Sequence, residues 1–403
     1  MKLILPLIFI DIFAIPMVHL GAIPFKFSFL YLLVWFLVKR PSVKLVLPLV
    51  GLIVALWLGK IFSFWRYELF HFEETIFMTV NYGVILVGYA FGLRSRLKDV
   101  NWLFGLIVVF ISINLLIMLF WQSSTFLINF YNLQVRLEEG LFAYRNPGIF
   151  SNPNVSALAS NLLILFWVLA RQRGLITLKG FVYDAIVLLL GLIAAISFGS
   201  KSGFSAYAII LFSYLVISFR FSARRTILSI IVLLGLLIVI NKSFMKSNIG
   251  SYTSGITTLV TFDDKIQREI FADHSRAGSR IFKIKHGFKM WLKAPLWGLG
   301  GDRTGSSSLQ HIQYHNDWTE VLVSSGLAGF IMLILLVYQT SKQSLLFIVP
   351  FIFPGLTNSF FFTAQIAMAY FLFVGIITSH KNHSQEVIPV NNNLPEVGSL
   401  DNK

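Results

Sequence analysis

The stretch Gln313–Gly329, QYHNDWTEVLVSSGLAG, marks a boundary in the chain. It opens on a histidine and an asparagine, and beyond Trp318 the chain runs apolar as far as Tyr338. A run of that length suits a helix that crosses the ~30 Å hydrocarbon core of a bilayer. Comparable runs lie near 3–20, 27–38, 43–59, 76–93, 101–121, 155–170, 181–197, 203–220, 226–241, 344–354 and 358–378. Together they predict an all-α fold, a polytopic helical bundle of about twelve membrane spans.

Composition points the same way. Of 403 residues 56% are hydrophobic, 40 are Phe, and only 13% are charged, against about 25% in soluble domains. There is no Cys, which excludes disulfides and thiolate metal sites. The N-terminal MKLILPLIFIDIFAIPMVHL carries one Lys, and Asp11 interrupts its apolar run. No small-x-small cleavage site follows, so it reads as the first membrane helix. The Asn- and Pro-rich tail from His380 reads as disordered.

Charge sets the expected orientation. Lys39, Arg40 and Lys44, then Arg94, Arg96 and Lys98, then Arg171, Arg173 and Lys179, then Arg220, Arg224 and Arg225, and finally Lys342 and Lys381 fall in alternate connections. Those connections are nearly free of acid. Glu68, Glu73, Glu74, Glu138, Glu139, Asp263, Asp264 and Asp273 fall in the others. This is the positive-inside pattern, and it predicts both termini in the cytoplasm. The net charge of +15 is mostly topological, so it argues for a membrane and against a nucleic-acid partner.

One connection is far longer than the rest: about 75 residues, from Asn241 to Asp317, on the outer face. Within it, SRIFKIKHGFKMWLKAPLWGLGGD begins at Ser279. Ile281, Ile284, Phe288, Trp291 and Leu292 recur at helical steps, with Lys285, Lys289 and Lys293 on the other side. That is a basic amphipathic helix, suited to a bilayer surface and to an anionic lipid-linked ligand. Arg276 and Arg280 stand at its start, and each is a candidate for bidentate phosphate contact or a snorkelling surface residue. Pro295 ends the helix, and Gly298–Gly301 form a turn.

Further candidates gather on the same face. In YRNPGIFSNPNVSA, Asn152–Pro153–Asn154 is a helix-start signal, and Arg145 and Asn154 would stand at the mouth of the bundle. The hairpin FGSKSGF carries Lys201, a solvated turn cation or an anion contact among Ser and Gly amides. His311 and His315 are four apart, as helix-borne metal ligands would be, but no third ligand has matching spacing, so no metal is expected. As a general base His315 fits better, since imidazole titrates near neutral pH. Asn316 would orient it or the substrate, and Glu320 lies a turn on. Gly326 and Gly329 read as small residues for close helix packing.

Taken in this order, the motifs resemble the O-antigen ligase/polymerase superfamily of bacterial envelope glycosyltransferases. The resemblance rests on R-N-P-G-x-F-x-N-P-N (Arg145–Asn154), S-K-S-G (Ser200–Gly203), S-R (Ser279, Arg280), P-L-W-G-L-G (Pro295–Gly300) and H-N-x9-G-x-x-G (His315–Gly329). It covers about Arg136 to Leu336; the first five spans match only in hydropathy. It implies spans 1–5 over 1–135, a ligase-like core over 136–379 with a periplasmic loop domain over 241–317 between the ninth and tenth helices, and a cytoplasmic tail over 380–403.

The implied protein sits in the bacterial inner membrane with its active site in the periplasm. The implied reaction needs no cofactor. A glycan passes from undecaprenyl diphosphate to a sugar hydroxyl activated by His315, with inversion, while Arg280 and Lys201 hold the diphosphate. Arg145, Asn154, Arg276 and Asn316 would contact substrate. The hairpin cation is commonly Arg in the ligases, and Lys201 keeps the charge without the bidentate fork. The acceptor is lipid A–core in the ligase reading and a growing glycan in the polymerase reading; the local motifs lean toward ligase. A transporter would place ionisable groups near mid-membrane, whereas here the spans hold chiefly Asp11 and Asp184. Oligomeric state is not encoded legibly.

Overall fold

The computed structural model describes residues 3–15, 18–20, 23–39, 47–67, 72–95, 97, 99–120, 124–130, 148–150, 152–218, 277–301, 316–352 and 363–386. In chain order these form α1 (Ile4–Ala14), the strands β1 (Val18–Leu20) and β2 (Ile23–Phe25), α2 (Phe27–Lys39), α3 (Leu47–Tyr67), α4 (Glu73–Arg94), α5 (Trp102–Phe120) and the short α6 (Thr125–Phe130). They continue with α7 (Pro153–Gln172), α8 (Phe181–Phe198), α9 (Lys201–Ser218), α10 (Ala277–Trp291) and α11 (Asp317–Ser341). A 3-10 turn (Leu345–Ile348), α12 (Val349–Ile352) and α13 (Ala364–Glu386) complete the series.

Six helices, α3, α4, α5, α7, α8 and α11, are long and apolar enough to cross a membrane. Apolar stretches in α1, α2, α9 and α13 are shorter. The twelve-span expectation is therefore only partly met among the described residues. Run 226–241 lies outside them, as do 241–276 and 302–315 of the long connection. Of run 344–354, the described residues form one 3-10 turn and α12, which together rise about 14 Å. The last helix continues to Glu386, so the first residues of the expected tail are helical.

The first two runs also differ from plain spans. Helix α1 has 11 residues, about 16 Å, and an antiparallel hairpin, β1 with β2, joins it to α2. Asp11 explains the elbow. Its Oδ2 accepts from the Ser28 N–H at 2.8 Å, at the start of α2. Lys26 Nζ donates to the Asp11 carbonyl at 2.7 Å and to the Ile15 carbonyl, at the end of α1. Each charge thus meets the helix end of opposite sign, where backbone groups lack helical partners.

Helix α7 lies at the centre; every residue from Ser156 to Ala170 is buried. Beside it runs α13, with Phe166 and Phe373 stacked at 4.1 Å. Helix α4 lies parallel to α13, with Gly88 against Met368 and Gly92 against Leu372 and Gly375. A Cβ on Gly92 would stand 2.1 Å from the Leu372 carbonyl oxygen, so the close approach depends on glycine. Residues from Leu5 to Ile377 share this one core, on both sides of residue 135.

The bundle has two chemically distinct ends. At one, α7 and α11 finish together, and Arg173 Nη2 donates to the Gln343 carbonyl. There Asp184 is saturated: Trp167 Nε1 donates at 2.8 Å, Tyr214 OH at 2.9 Å and Arg171 Nε at 3.1 Å. At the other end α7 and α11 begin, each capped by an asparagine. This second end holds the candidate site.

Candidate functional site

The centre of the site is a break in α11. Gly326 has φ 61° and ψ −161°, a conformation closed to other residues, so Asp317–Ser325 and Leu327–Ser341 are two half-helices. A break exposes carbonyls on one side and amides on the other, which is costly in an apolar setting. The loop Pro295–Gly300 meets both. Leu299 N–H donates to the Val323 carbonyl at 2.8 Å, and Gly300 N–H to that of Ser324 at 2.7 Å. In return Leu327 N–H donates to the Pro295 carbonyl at 2.9 Å, and Ala328 N–H to that of Leu296 at 3.2 Å.

The loop is wedged between helices. A Cβ on Gly300 would lie 2.2 Å from Lys60 Cα, and one on Gly326 would lie 2.4 Å from the Leu296 carbonyl. Thr75, at the start of α4, donates its hydroxyl to the Gly300 carbonyl. Gly326 and Gly329 are thus not a packing stripe between straight helices, as their spacing suggested. Gly326 makes the break, and a Cβ on Gly329 would strike that of Ser325 within the same bend.

Asn316 caps the first half-helix. It is 4% exposed, and its Oδ1 accepts from the Thr319 N–H at 3.0 Å. Its carbonyl accepts from the N–H of Glu320, itself buried. Trp318 Nε1 donates to the Phe351 carbonyl at 3.1 Å, tying this half-helix to α12, which also touches α9. His315, the residue before the cap, lies outside the described residues, as do Arg145 and Arg276.

Asn152 caps α7: its Oδ1 accepts from Asn154 N–H at 2.9 Å and Val155 N–H at 3.4 Å, with Pro153 in the first turn. Asn154 is half-buried one residue further on. The Gly148–Phe150 turn before it is held by Asn114 of α5, whose Oδ1 accepts from the Ile149 N–H at 3.0 Å. Nothing local marks Asn114 in the sequence; its role appears only when α5 meets the turn.

Lys201 is the first residue of α9. Ser200 caps that helix, with Gly203 N–H donating to its Oγ at 3.2 Å. Asn161 Nδ2 donates to the Gly203 carbonyl at 2.6 Å, and Gly203 lies against Ala157. The starts of α7 and α9 therefore stand side by side, which brings the backbone positions of Asn154 and Lys201 to one corner of the bundle. Two positive helix ends converge there.

Arg280 occupies the first turn of α10. Lys283, Gly287 and Met290 of the helix are buried, as is Ala294 just beyond its end. Phe288 is 48% exposed and Leu292 67%, beside exposed Lys289 and Lys293. Its end is anchored to α3, where Tyr67 OH donates to the Lys293 carbonyl at 2.9 Å. Burial holds the His286 imidazole below its ordinary range, and Lys293 and Lys289 push it the same way. A second feature absent from the sequence reading is Asn81 in α4, fully buried with no hydrogen-bond partner for its amide among the described residues.

Residues 185–334 match the family model described as O-antigen ligase. That match supports the resemblance to the O-antigen ligase/polymerase superfamily. The matched segment runs from the second turn of α8 into the second half of α11, so it contains the Ser200 hairpin, α10, the stitching loop and the break. The six long apolar helices and this match indicate a membrane protein, and the matched family implies a glycosyltransferase-like enzyme. No curated protein matches the chain.

Proposed function

We propose that the chain is an inverting, metal-independent glycosyltransferase of the bacterial inner membrane, acting as an O-antigen ligase. Its asparagine-capped end faces the periplasm, its basic end faces the cytoplasm, and the long connection 241–317 roofs the site. It moves a glycan from undecaprenyl diphosphate to a hydroxyl of lipid A–core. The observation that carries this reading is the family match over 185–334, which brackets every motif from the hairpin to the broken helix.

In the proposed reaction the acceptor oxygen attacks the anomeric carbon of the donor sugar and its proton passes to His315. The bond from that carbon to the diphosphate oxygen breaks, and undecaprenyl diphosphate leaves with the electron pair. Charge grows on the diphosphate in the transition state, so Arg280 and Lys201 would stabilise it more than the ground state. Positive helix ends at the starts of α7 and α9 support an anion at that corner. Arg145, Asn154 and Arg276 are assigned to substrate binding. Asn316 is assigned a positioning role, because its Oδ1 is committed to the helix cap.

His315→Ala in the native host, followed by glycolipid profiling, tests the reading. A ligase leaves polymerised glycan on undecaprenyl diphosphate and bare lipid A–core. A core carrying a single repeat unit would show the polymerase activity of the same superfamily instead. An unchanged profile, with the protein present in the membrane, would sink the role of His315.

A further inference from the structure

Asp11 and Lys26 stand at the elbow between α1 and α2, and the ring contacts of α1 fix their depth. Helix α5 runs from the basic end, where Val100 N–H donates to the Leu175 carbonyl at 2.9 Å, to the capped end, where Asn114 holds the turn before α7. Along it, Phe9 of α1 meets Trp102 at 5.1 Å and Phe13 meets Phe110 at 5.7 Å. Asp11, between them, lies well inside the span, and α5 continues from Phe110 to Phe120, about 15 Å further. Helix α2 starts at that depth beside Asp11 and returns to the basic end, where Trp35 rests on Phe91 at 4.8 Å near the finish of α4. The elbow thus puts two charges, two helix ends and the foot of the β1–β2 hairpin near mid-membrane.

The polar residues of the elbow are shut away from lipid: Asp11 is 6% exposed, Lys26 2% and Ser28 3%. Their bonding is incomplete. Asp11 Oδ2 accepts the Ser28 N–H, but Asp11 Oδ1 and Ser28 Oγ are buried with no hydrogen-bond partner among the described residues. An ammonium carries three donors, and Lys26 spends two on the Asp11 and Ile15 carbonyls. A carboxylate oxygen left unpaired at this depth is strongly unfavourable. One carboxylate oxygen, one hydroxyl and one N–H are the three partners that a buried water takes. A metal cation would add a second positive charge beside the ammonium already seated on the α1 carbonyls, so a neutral ligand fits better. The hairpin supplies a route. A two-stranded ribbon leaves backbone groups unpaired on its outer edges, and at membrane depth these persist only against protein or a water-filled cleft.

We propose that the elbow is a water-binding site inside the membrane. One molecule bridges Asp11 Oδ1, Ser28 Oγ and the third N–H of Lys26, and it exchanges with the aqueous phase through a cleft beside the hairpin. The site is separate from the asparagine-capped starts of α7 and α11, and it stands whether or not the chain transfers a glycan. It gives the pair the hydration that charges at this depth require.

The chain has no Cys, so one introduced thiol is unique. Ser28→Cys in the full chain, held in nanodiscs, is exposed to Ag⁺, an ion close to water in size, and the thiol that remains is counted with a maleimide after denaturation. A thiol reacts as its thiolate, which needs water. Ser28→Cys should react at least about a hundredfold faster than Phe29→Cys, buried one residue on, or Phe27→Cys, 68% exposed on the outside of the same turn. Similar rates at the three positions would overturn the site. Replacing choline by Na⁺ at equal concentration should leave the rate unchanged; protection by Na⁺ would put a metal cation where water is proposed and overturn it as well. The unaltered elbow is read by water-edited solid-state NMR of the chain labelled with ¹⁵N-lysine in bilayers, the Lys26 Nζ signal being assigned by its loss in Lys26→Gln. Magnetisation should pass from water to that Nζ at no less than about a tenth of the rate at exposed lysines. Slower transfer means a dry pair and sinks the proposal even if Ser28→Cys reacts.

Discussion

Leu299 donates its backbone N–H to the carbonyl of Val323 at 2.8 Å, three residues before α11 breaks at Gly326. With three companion bonds it replaces helical hydrogen bonds by bonds to a loop that precedes the helix in the chain. The two halves of α11 and the end of the basic helix α10 are thereby mechanically joined.

Gly326→Ala should therefore be severe. The new Cβ would enter a backbone region reserved for glycine and stand 2.4 Å from the Leu296 carbonyl. A loss of at least about 2 kcal/mol is expected, with transfer activity falling in parallel. Gly105→Ala, helical and facing open space, is the control and should be neutral or stabilising by up to about 1 kcal/mol. Thermal unfolding in detergent would decide; equal effects at both positions would remove the special role of the break.

Asn316 separates positioning from contact. Asn316→Ala removes a cap worth about 1 kcal/mol and should lower kcat about tenfold by loosening the start of the half-helix. Asn316→Ser can still cap and should recover most of kcat at unchanged KM. Recovery of the fold without recovery of kcat would instead mark the amide as a substrate contact.

At the opposite end, Asp184 closes a buried knot with Trp167, Arg171 and Tyr214. Asp184→Ala strands three donors and should cost on the order of 3 kcal/mol, somewhat relieved because Arg171 retains 24% exposure. The loss should appear as a lower Tm, while KM in the surviving folded fraction stays constant. A KM change at constant Tm would contradict a purely structural role.

His286 predicts a pH response. Its folded imidazole resists protonation relative to the ordinary value of 6.5. As pH falls through about 6.5, the unfolded chain gains the proton first, so stability is full above that pH and declines below it. The Tm difference between about pH 8 and pH 5.5 should shrink in His286→Gln. An identical difference in both proteins would exclude His286 as the source.

Much was legible from local pattern. Apolar runs announced the long helices, and Asn152–Pro153 announced the start of α7. Each of these signals depends on residues adjacent in the chain. The break at Gly326 was not legible, because Ser324–Gly329 alone reads as a small-residue stripe. Only the arrival of Pro295–Gly300 supplies the partners that make a broken helix affordable. The buried face of α10, with Lys283, Gly287 and Met290, was not legible for a related reason: periodicity finds an apolar face but not whether protein or lipid lies against it.

By itself, then, the sequence determined the membrane class, the helix starts and the family resemblance, since hydrophobic length, capping and charge asymmetry act locally. The tertiary structure alone decided that α1 and α2 meet at a charged elbow and that the loop Pro295–Gly300 bonds across the break in α11. Those outcomes depend on which backbone groups find partners across the bundle, and no single segment carries that information.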